Sequence, residues 1–378
     1  MIKWILKYGM VVFLFNSVLL SIIYTRFLGD QIFLVLMAFY AMLLLINPHH
    51  VKNVIFHKAF SFFLFINFLN LCYFFLFHSF AEIEAIKYLL ARGMQFAIIS
   101  VSIYFHYDYY KTKFLYHVVY LSLICVFVGL IFNADVFSGR YAGIIWNPNM
   151  LSSYTTIGFA ILFLKPGKKT ILDVFFLVLL FLISIATGSR GVLIAIALSF
   201  LFRYGFSIRN MIYAFLALTM YFVIINFQLD TSINRFASQS LFNDRILQYK
   251  YAYETLLHKP IFGFGLDKYA YIYHEVIPYH LRGHIKGAHN GYLAILTQYG
   301  LFFGFIILFV IFKKSIQLII WFRKSPGIEK VHVFIIVYAL LVSIYESLIT
   351  GINEFHTNLF WFSLAFLSLT RFRNEYEN

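Results

Sequence analysis

Apolar stretches of roughly twenty residues recur from one end of this chain to the other, and a helix of about that length crosses the hydrocarbon of a bilayer. Six occupy about 8–25, 30–47, 59–79, 88–106, 114–132 and 148–164. Six more occupy about 170–187, 188–202, 211–227, 290–312, 333–350 and 357–370. Lipid offers no hydrogen bonds, so a spanning run must satisfy its own backbone as a helix. The expected fold is all-α and polytopic, one membrane domain over 1–378 with about twelve transmembrane helices. The fourth and eighth runs are the weakest, because Lys87 and Arg92 flank the start of one and the other is short.

Composition agrees with lipid as the solvent. The 378 residues are 62% hydrophobic and 12% charged, against about half and about a quarter in a soluble domain. A net charge of +14 would raise nucleic acid as a partner in a soluble chain. Here the basic residues fall mostly in short loops between apolar runs, so membrane topology accounts for them and no nucleic-acid partner is expected. Cys72 and Cys125 lie inside apolar runs and form no CxxC pair. No small-residue cleavage site follows the first run, which reads as a retained span.

Cytoplasmic loops are enriched in Lys and Arg. With both termini cytoplasmic, the inner loops hold 18 of the 30 basic residues. The short outer segments hold five, Arg26, Lys87, Arg92, Arg140 and Arg190. The other seven lie in a long loop at 228–288, which is expected outside and structured. Within it, Asn243 or Asp244 can cap a helix. Phe242, Ile246, Tyr249, Tyr253 and Leu256 then form an apolar stripe, with Arg245, Gln248 and Ala252 on a neighbouring face. Lys259-Pro260 ends that helix and Gly263-Phe264-Gly265 turns the chain. A short amphipathic helix lying at the outer membrane face is the expectation.

A few polar residues stand out against this background. An Arg at membrane depth costs about 2.5–3.5 kcal/mol on insertion scales, so it has a partner or a role. Arg190, in Ala186-Thr187-Gly188-Ser189-Arg190-Gly191, occupies a tight turn between two runs. It is either an anion clamp, since guanidinium grips phosphate bidentately, or a snorkelling interfacial cation. Arg140 opens a second polar segment that ends in Asn147-Pro148-Asn149, either a polar lining or an ordinary capped helix start. Arg245 is a further cation on the loop helix, or a solvated charge. His289-Asn290 immediately precedes the tenth run. An imidazole there is a general base or an interfacial cap. His280 and His284 lie just upstream, and Glu354 and His356 lie in the last outer turn, all without an assigned role. There is no HExxH or Cys/His set, so no metal is expected.

The order of these pieces resembles the O-antigen ligase and polymerase family. The series is Arg140-Tyr141-Ala142-Gly143, Asn147-Pro148-Asn149, Thr187-Gly188-Ser189-Arg190-Gly191, Asp244-Arg245, Pro260-Ile261-Phe262-Gly263-Phe264-Gly265 and Ala288-His289-Asn290-Gly291-Tyr292-Leu293, over about 139–305. The resemblance implies a GT-C-like, metal-independent glycosyltransferase with no cofactor, in the bacterial cytoplasmic membrane. Its donor would be an oligosaccharide on undecaprenyl diphosphate and its acceptor another glycan. By that resemblance Arg190, Arg245 and Arg140, with Asn290 and Asn149, would hold the diphosphate. His289 would assist the acceptor hydroxyl, with Arg190 as the second catalytic residue. A flippase and a chain-length regulator are further candidate partners. The chain is short and shows no added C-terminal domain, which favours a polymerase of capsule, exopolysaccharide or O-antigen. The alternatives are a ligase acting on lipid A core, a flippase or transporter of lipid-linked sugars, and a non-catalytic assembly partner.

Overall fold

The computed structural model describes residues 2–136, 139–205, 243–285 and 287–376, with 207, 208, 210 and 212. The expected span at 211–227, residues 228–242 with Phe242 of the stripe, and the side chains of Asn243 and Asp244 lie outside the described residues. So do Arg209, Arg235 and Lys286 of the charge count.

The described regular structure is almost entirely helical. The first half contains α1 (Ile2–Leu20), α2 (Arg26–Ile46), α3 (Pro48–Ile55), α4 (Ser61–Phe77), α5 (Ile83–Phe105), α6 (Tyr107–Thr112) and α7 (Phe114–Phe132). The second contains α8 (Pro148–Leu164), α9 (Ile171–Ala186), α10 (Arg190–Tyr204), α11 (Asn243–His258), α12 (Gly291–Phe322), α13 (Glu329–Val342) and α14 (Phe355–Tyr376). Among the described residues, five segments are long and apolar enough to cross a membrane: Ile23–Ile46, Lys58–Phe77, Ile83–Phe105, Phe114–Phe132 and Gly291–Phe322. Other apolar helices, such as Ile171–Ala186, are shorter.

Burial is inverted relative to a water-soluble bundle. Leu45, Ile131, Phe132 and Ile171 are each at least 77% exposed, and an outward apolar surface of that kind requires lipid or a partner. The centre is α14, whose side chains from Phe355 to Thr370 are all buried. A helix apolar on every side belongs in a core, and α14 packs against α1, α5, α8, α12 and α13.

Helix ends follow their local sequences. Pro148 begins α8 behind Asn147, whose side chain accepts from the Asn149 backbone N–H. Thr170 and Asp173 form a reciprocal capping box on α9. Asn290 caps α12 by accepting from the N–H groups of Tyr292 and Leu293, both at 2.9 Å.

One departure from the sequence reading matters. The tenth apolar run extends to Phe322 and is broken at Gly300, where φ is 69°. The 260–265 segment fills the break: Leu301 N–H donates to Pro260 O at 2.7 Å, and Phe264 and Gly265 donate to Thr297 O and Gln298 O at 2.9 and 3.0 Å. Thus 260–265 is a strap that satisfies backbone freed by a broken helix. The face that α11 buries against protein lies beside the apolar stripe. Ile246 and Tyr253 of the stripe are 58% and 55% exposed, while Tyr251, Ala252, Thr255 and Leu256 are buried. The small Ala252 and Thr255 allow close approach, and Tyr251 and Ala252 form a satellite core with Ile272, Ile277, Ile285, Ala288 and Ala294.

Candidate functional site

The first turns of α8, α10, α12 and α14 and the last turns of α9 and α13 meet at one end of the helical body. Tyr141 N–H donates to Ala186 O at 3.0 Å, and Arg140 Nε donates to Thr187 O at 3.3 Å. The Arg140 segment is thereby laid against the turn that contains Arg190. The same arginine donates through Nη2 to Asn149 Oδ1.

Asn149 is a bridge. Its Nδ2 donates to Glu346 Oε1 at 3.3 Å. Arg245 Nη2 reaches the same oxygen at 2.5 Å, and Arg245 Nη1 donates to Gln248 Oε1 at 2.9 Å. The other oxygen, Glu346 Oε2, lies 3.5 Å from His289 Nδ1. Arg140, Asn149, Arg245 and His289, separated by up to 149 positions in the chain, therefore share contacts around one carboxylate.

Local backbone explains why they meet. Glu346 lies just past α13, in a 343–354 segment that leaves helical geometry. Its backbone N–H donates to Val342 O at 2.9 Å, and its carbonyl accepts from Gly291 N–H at 3.2 Å. Ile344 O accepts from Asn290 Nδ2 at 2.7 Å and from Tyr249 Oη at 2.6 Å. These bonds tie α11 and the start of α12 to the segment bearing Glu346. His289 adopts φ 41°, a left-handed geometry uncommon outside glycine and enriched at functional sites.

Arg190 is the first residue of α10 and is half-buried. A Cβ built on the adjacent Gly191 would lie 3.1 Å from Tyr338 Oη and 3.4 Å from Tyr345 Oη. Tyr345 is only one residue from Glu346, so the α10 N-terminus adjoins the cluster. Asn290 has a different place: both ends of its amide are committed to backbone, as helix cap and as donor to Ile344 O. That geometry makes it a bracket between α12 and the 343–354 segment.

Half-buried Glu354 and buried His356 lie nearby. Glu354 accepts from Tyr269 Oη at 3.1 Å and Thr357 Oγ1 at 3.2 Å. Burial pushes its carboxyl above the ordinary value, against those hydrogen bonds. His356 Nε2 lies 3.3 Å from Ser153 O. His280 and His284 are exposed. Among the described residues, no group of three His, Cys, Asp or Glu side chains comes together as a metal site.

A groove of about 410 Å³ opens elsewhere, between the end of α4 and the strap. Tyr73, Phe77, His78, Lys259 and Phe264 line it, and Arg245, His289 and Glu346 do not. The polar cluster at the meeting point of helix ends is separate from this groove.

Glu346 was not among the candidates drawn from sequence. Its signal was present: a lone acid in the apolar run 333–350, which by the cost of intramembrane charge needs a partner.

Apolar helices around a polar cluster of three basic side chains, an amide and a carboxylate define a helical membrane protein with an anion-binding potential at one end. Residues 175–309 match the family model Wzy_C, described as O-Antigen ligase. That match supports the resemblance, read from the motifs, to the O-antigen ligase/polymerase family, whose members are glycosyltransferase-like enzymes. Arg190, Arg245 and His289 lie within the match, whereas Arg140, Asn149 and Glu346 lie outside it. No curated protein matches the chain.

Proposed function

We propose that the chain polymerises oligosaccharide repeat units carried on undecaprenyl diphosphate, at the outer face of the bacterial cytoplasmic membrane. One observation carries the reading: Arg245 and His289 both face a single anion, Glu346, and Arg140 is joined to it through Asn149, within and beside the family-matched stretch. Guanidinium groups that hold a carboxylate are suited to a diphosphate.

In this reading Arg245 and Arg140, with Asn149 and the neighbouring Arg190, bind the donor diphosphate. Leaving-group charge develops there as the glycosidic bond breaks, and fixed cations in a water-poor site stabilise it without a metal. His289 accepts the proton of the incoming sugar hydroxyl. The topology that accompanies this proposal is GT-C-like, with twelve spans and both termini cytoplasmic. Lys87 and Arg92, both counted with the outer segments, lie inside α5.

The acceptor in this proposal is a second lipid-linked repeat unit. The description of the matching family favours the other reading, transfer to lipid A core. Purified protein given the lipid-linked repeat unit should produce a ladder on a gel. His289→Ala and Arg190→Ala should each lower chain growth by about 10²-fold or more while the protein still inserts and folds. Unchanged ladders from either variant remove that residue from the mechanism. A single addition to lipid A core, with no ladder, assigns the chain as a ligase.

A further inference from the structure

Glu346 touches both halves of the proposed machinery. Oε1 holds Arg245 at 2.5 Å and Asn149 at 3.3 Å, and Oε2 faces His289 Nδ1 at 3.5 Å. A carboxylate at the end of an apolar helix is expensive and needs a role. Its place is fixed by backbone bonds to Val342 and Gly291, so the side chain has little freedom beyond choosing between these partners. The Arg245 contact is short and charge-assisted. The His289 contact is at the long limit of a hydrogen bond, and such contacts tighten when substrate is bound.

We propose that Glu346 is a positioning residue that couples donor binding to activation of the acceptor. This deepens the function proposed above and rests on it. Before the donor arrives, the carboxylate neutralises Arg245. The incoming diphosphate takes over that guanidinium, and the freed carboxylate closes on His289 Nδ1–H. That hydrogen bond fixes the ring and leaves Nε2 unprotonated toward the acceptor. The sugar hydroxyl gives its proton to Nε2 as its oxygen bonds to the anomeric carbon. The bond from that carbon to the phosphate oxygen breaks, and its electron pair departs with the lipid diphosphate. The imidazolium then returns the proton to water. Base engagement thus follows donor occupancy, which keeps the histidine idle when the diphosphate site is empty of substrate.

The groups facing Glu346 are Arg245 and Tyr249 from α11, Asn149 from α8, His289 ahead of α12, Tyr338 and Tyr345 on the α13 side, and Glu354. No other carboxylate among these contacts Arg245 or His289, so a neutral isostere at 346 isolates the effect.

The test is a split between donor affinity and turnover in Glu346→Gln. Binding of farnesyl diphosphate to the purified protein in detergent reports the anion site alone. Removing the internal competitor should tighten it by about fivefold. Turnover of lipid-linked repeat unit extracted from the native host should fall by about 30- to 100-fold in kcat. Glu346→Asp retains the charge and should restore a substantial part of kcat. Size-exclusion behaviour of both variants checks folding, and an aggregated Glu346→Gln leaves Glu346→Asp and its kcat as the deciding measurement. Weakened farnesyl diphosphate binding in Glu346→Gln, or wild-type kcat, overturns the coupling. If His289→Ala also keeps full activity, the base assignment itself has failed. If His289→Ala is inactive while Glu346→Gln matches wild type, only the coupling has failed.

Discussion

Arg92 and Arg245 hold opposite ends of the same non-helical segment, 343–354, and they do so with opposite kinds of partner. Arg92 is 4% exposed. It donates to the carbonyls of Thr350 and Gly351, to Gln95 Oε1 at 2.7 Å and to Tyr88 Oη at 3.2 Å. Every one of those acceptors is neutral and belongs to the fold. Arg245 instead meets a carboxylate at 2.5 Å, and its side chain retains 17% exposure. A cation bound to backbone carbonyls is locked, because withdrawing it orphans buried acceptors. A cation bound to a partly exposed anion can exchange that anion for another. On the proposed function, the carbonyl partners make Arg92 an anchor and the carboxylate partner makes Arg245 the cation that the donor diphosphate would take over.

The largest effect expected from this contrast is at the anchor. Arg92→Met keeps the apolar stem and removes every donor. Two carbonyls and the Gln95 amide oxygen lose a partner, each worth about 1–3 kcal/mol when buried. Folded, monodisperse protein after detergent extraction should fall severely, and activity should fall with it. A well-folded Arg92→Met with a normal ladder breaks the distinction between anchor and site.

Next is the strap, an anchor made of backbone alone. A Cβ on Gly263, at φ 69°, would lie 2.3 Å from Gly300 N. Left-handed geometry alone costs an alanine about 1–2 kcal/mol, and the contact is with backbone that cannot swing away. Gly263→Ala should lower the midpoint of thermal unfolding and shed protein yield, though less than Arg92→Met. Unchanged unfolding would show that the strap is not holding the break in α12.

Much of this was legible in one dimension and some of it was not. The apolar runs at 114–132 and 148–164 coincide with α7 and α8, because run length is a local signal of burial in lipid. Arg190, Arg245 and His289 stood out as cations and an imidazole beside apolar runs. The break in α12 was hidden, because it depends on a segment some forty positions earlier in the chain supplying hydrogen bonds. The face that α11 buries against protein was also hidden, because apolar spacing marks whichever surface is greasy, whereas Ile246 and Tyr253 of the stripe point outward and Tyr251, Ala252 and Thr255 pack inward. Glu346 escaped notice for a related reason: its partners Asn149, Arg245 and His289 are 197, 101 and 57 positions away. A lone acid has no local pattern, and only packing reveals what it binds.

A third measurement sharpens the site half of the comparison. Arg245→Lys preserves charge but gives up the planar fork and the separate bonds to Gln248 and Glu346. The protein should fold normally and lose about 10- to 100-fold in kcat/KM for the lipid-linked donor. The signature is activity lost with stability intact, the reverse of the anchor. Loss of both together would mean that Arg245 is a second Arg92.

The smallest expected effect belongs to Asn149, which contacts Arg140 and Glu346 through opposite ends of one amide. Asn149→Ala leaves the helix start intact, because the N-cap is Asn147 and the Asn149 backbone still donates to it at 2.9 Å. The Ser152 and Ser153 hydroxyls bond the Asn149 carbonyl, which the substitution also keeps. Only the bridge between the Arg140 side and the Arg245 side of the cluster disappears. Hydrogen bonds to charged groups are worth about 1.5–3 kcal/mol when buried and less where solvent screens them, so donor KM should rise by about three- to tenfold with kcat nearly unchanged. A collapse of kcat instead would mean that Asn149 contacts the reacting groups directly and that Arg140 is held for catalysis rather than for donor binding.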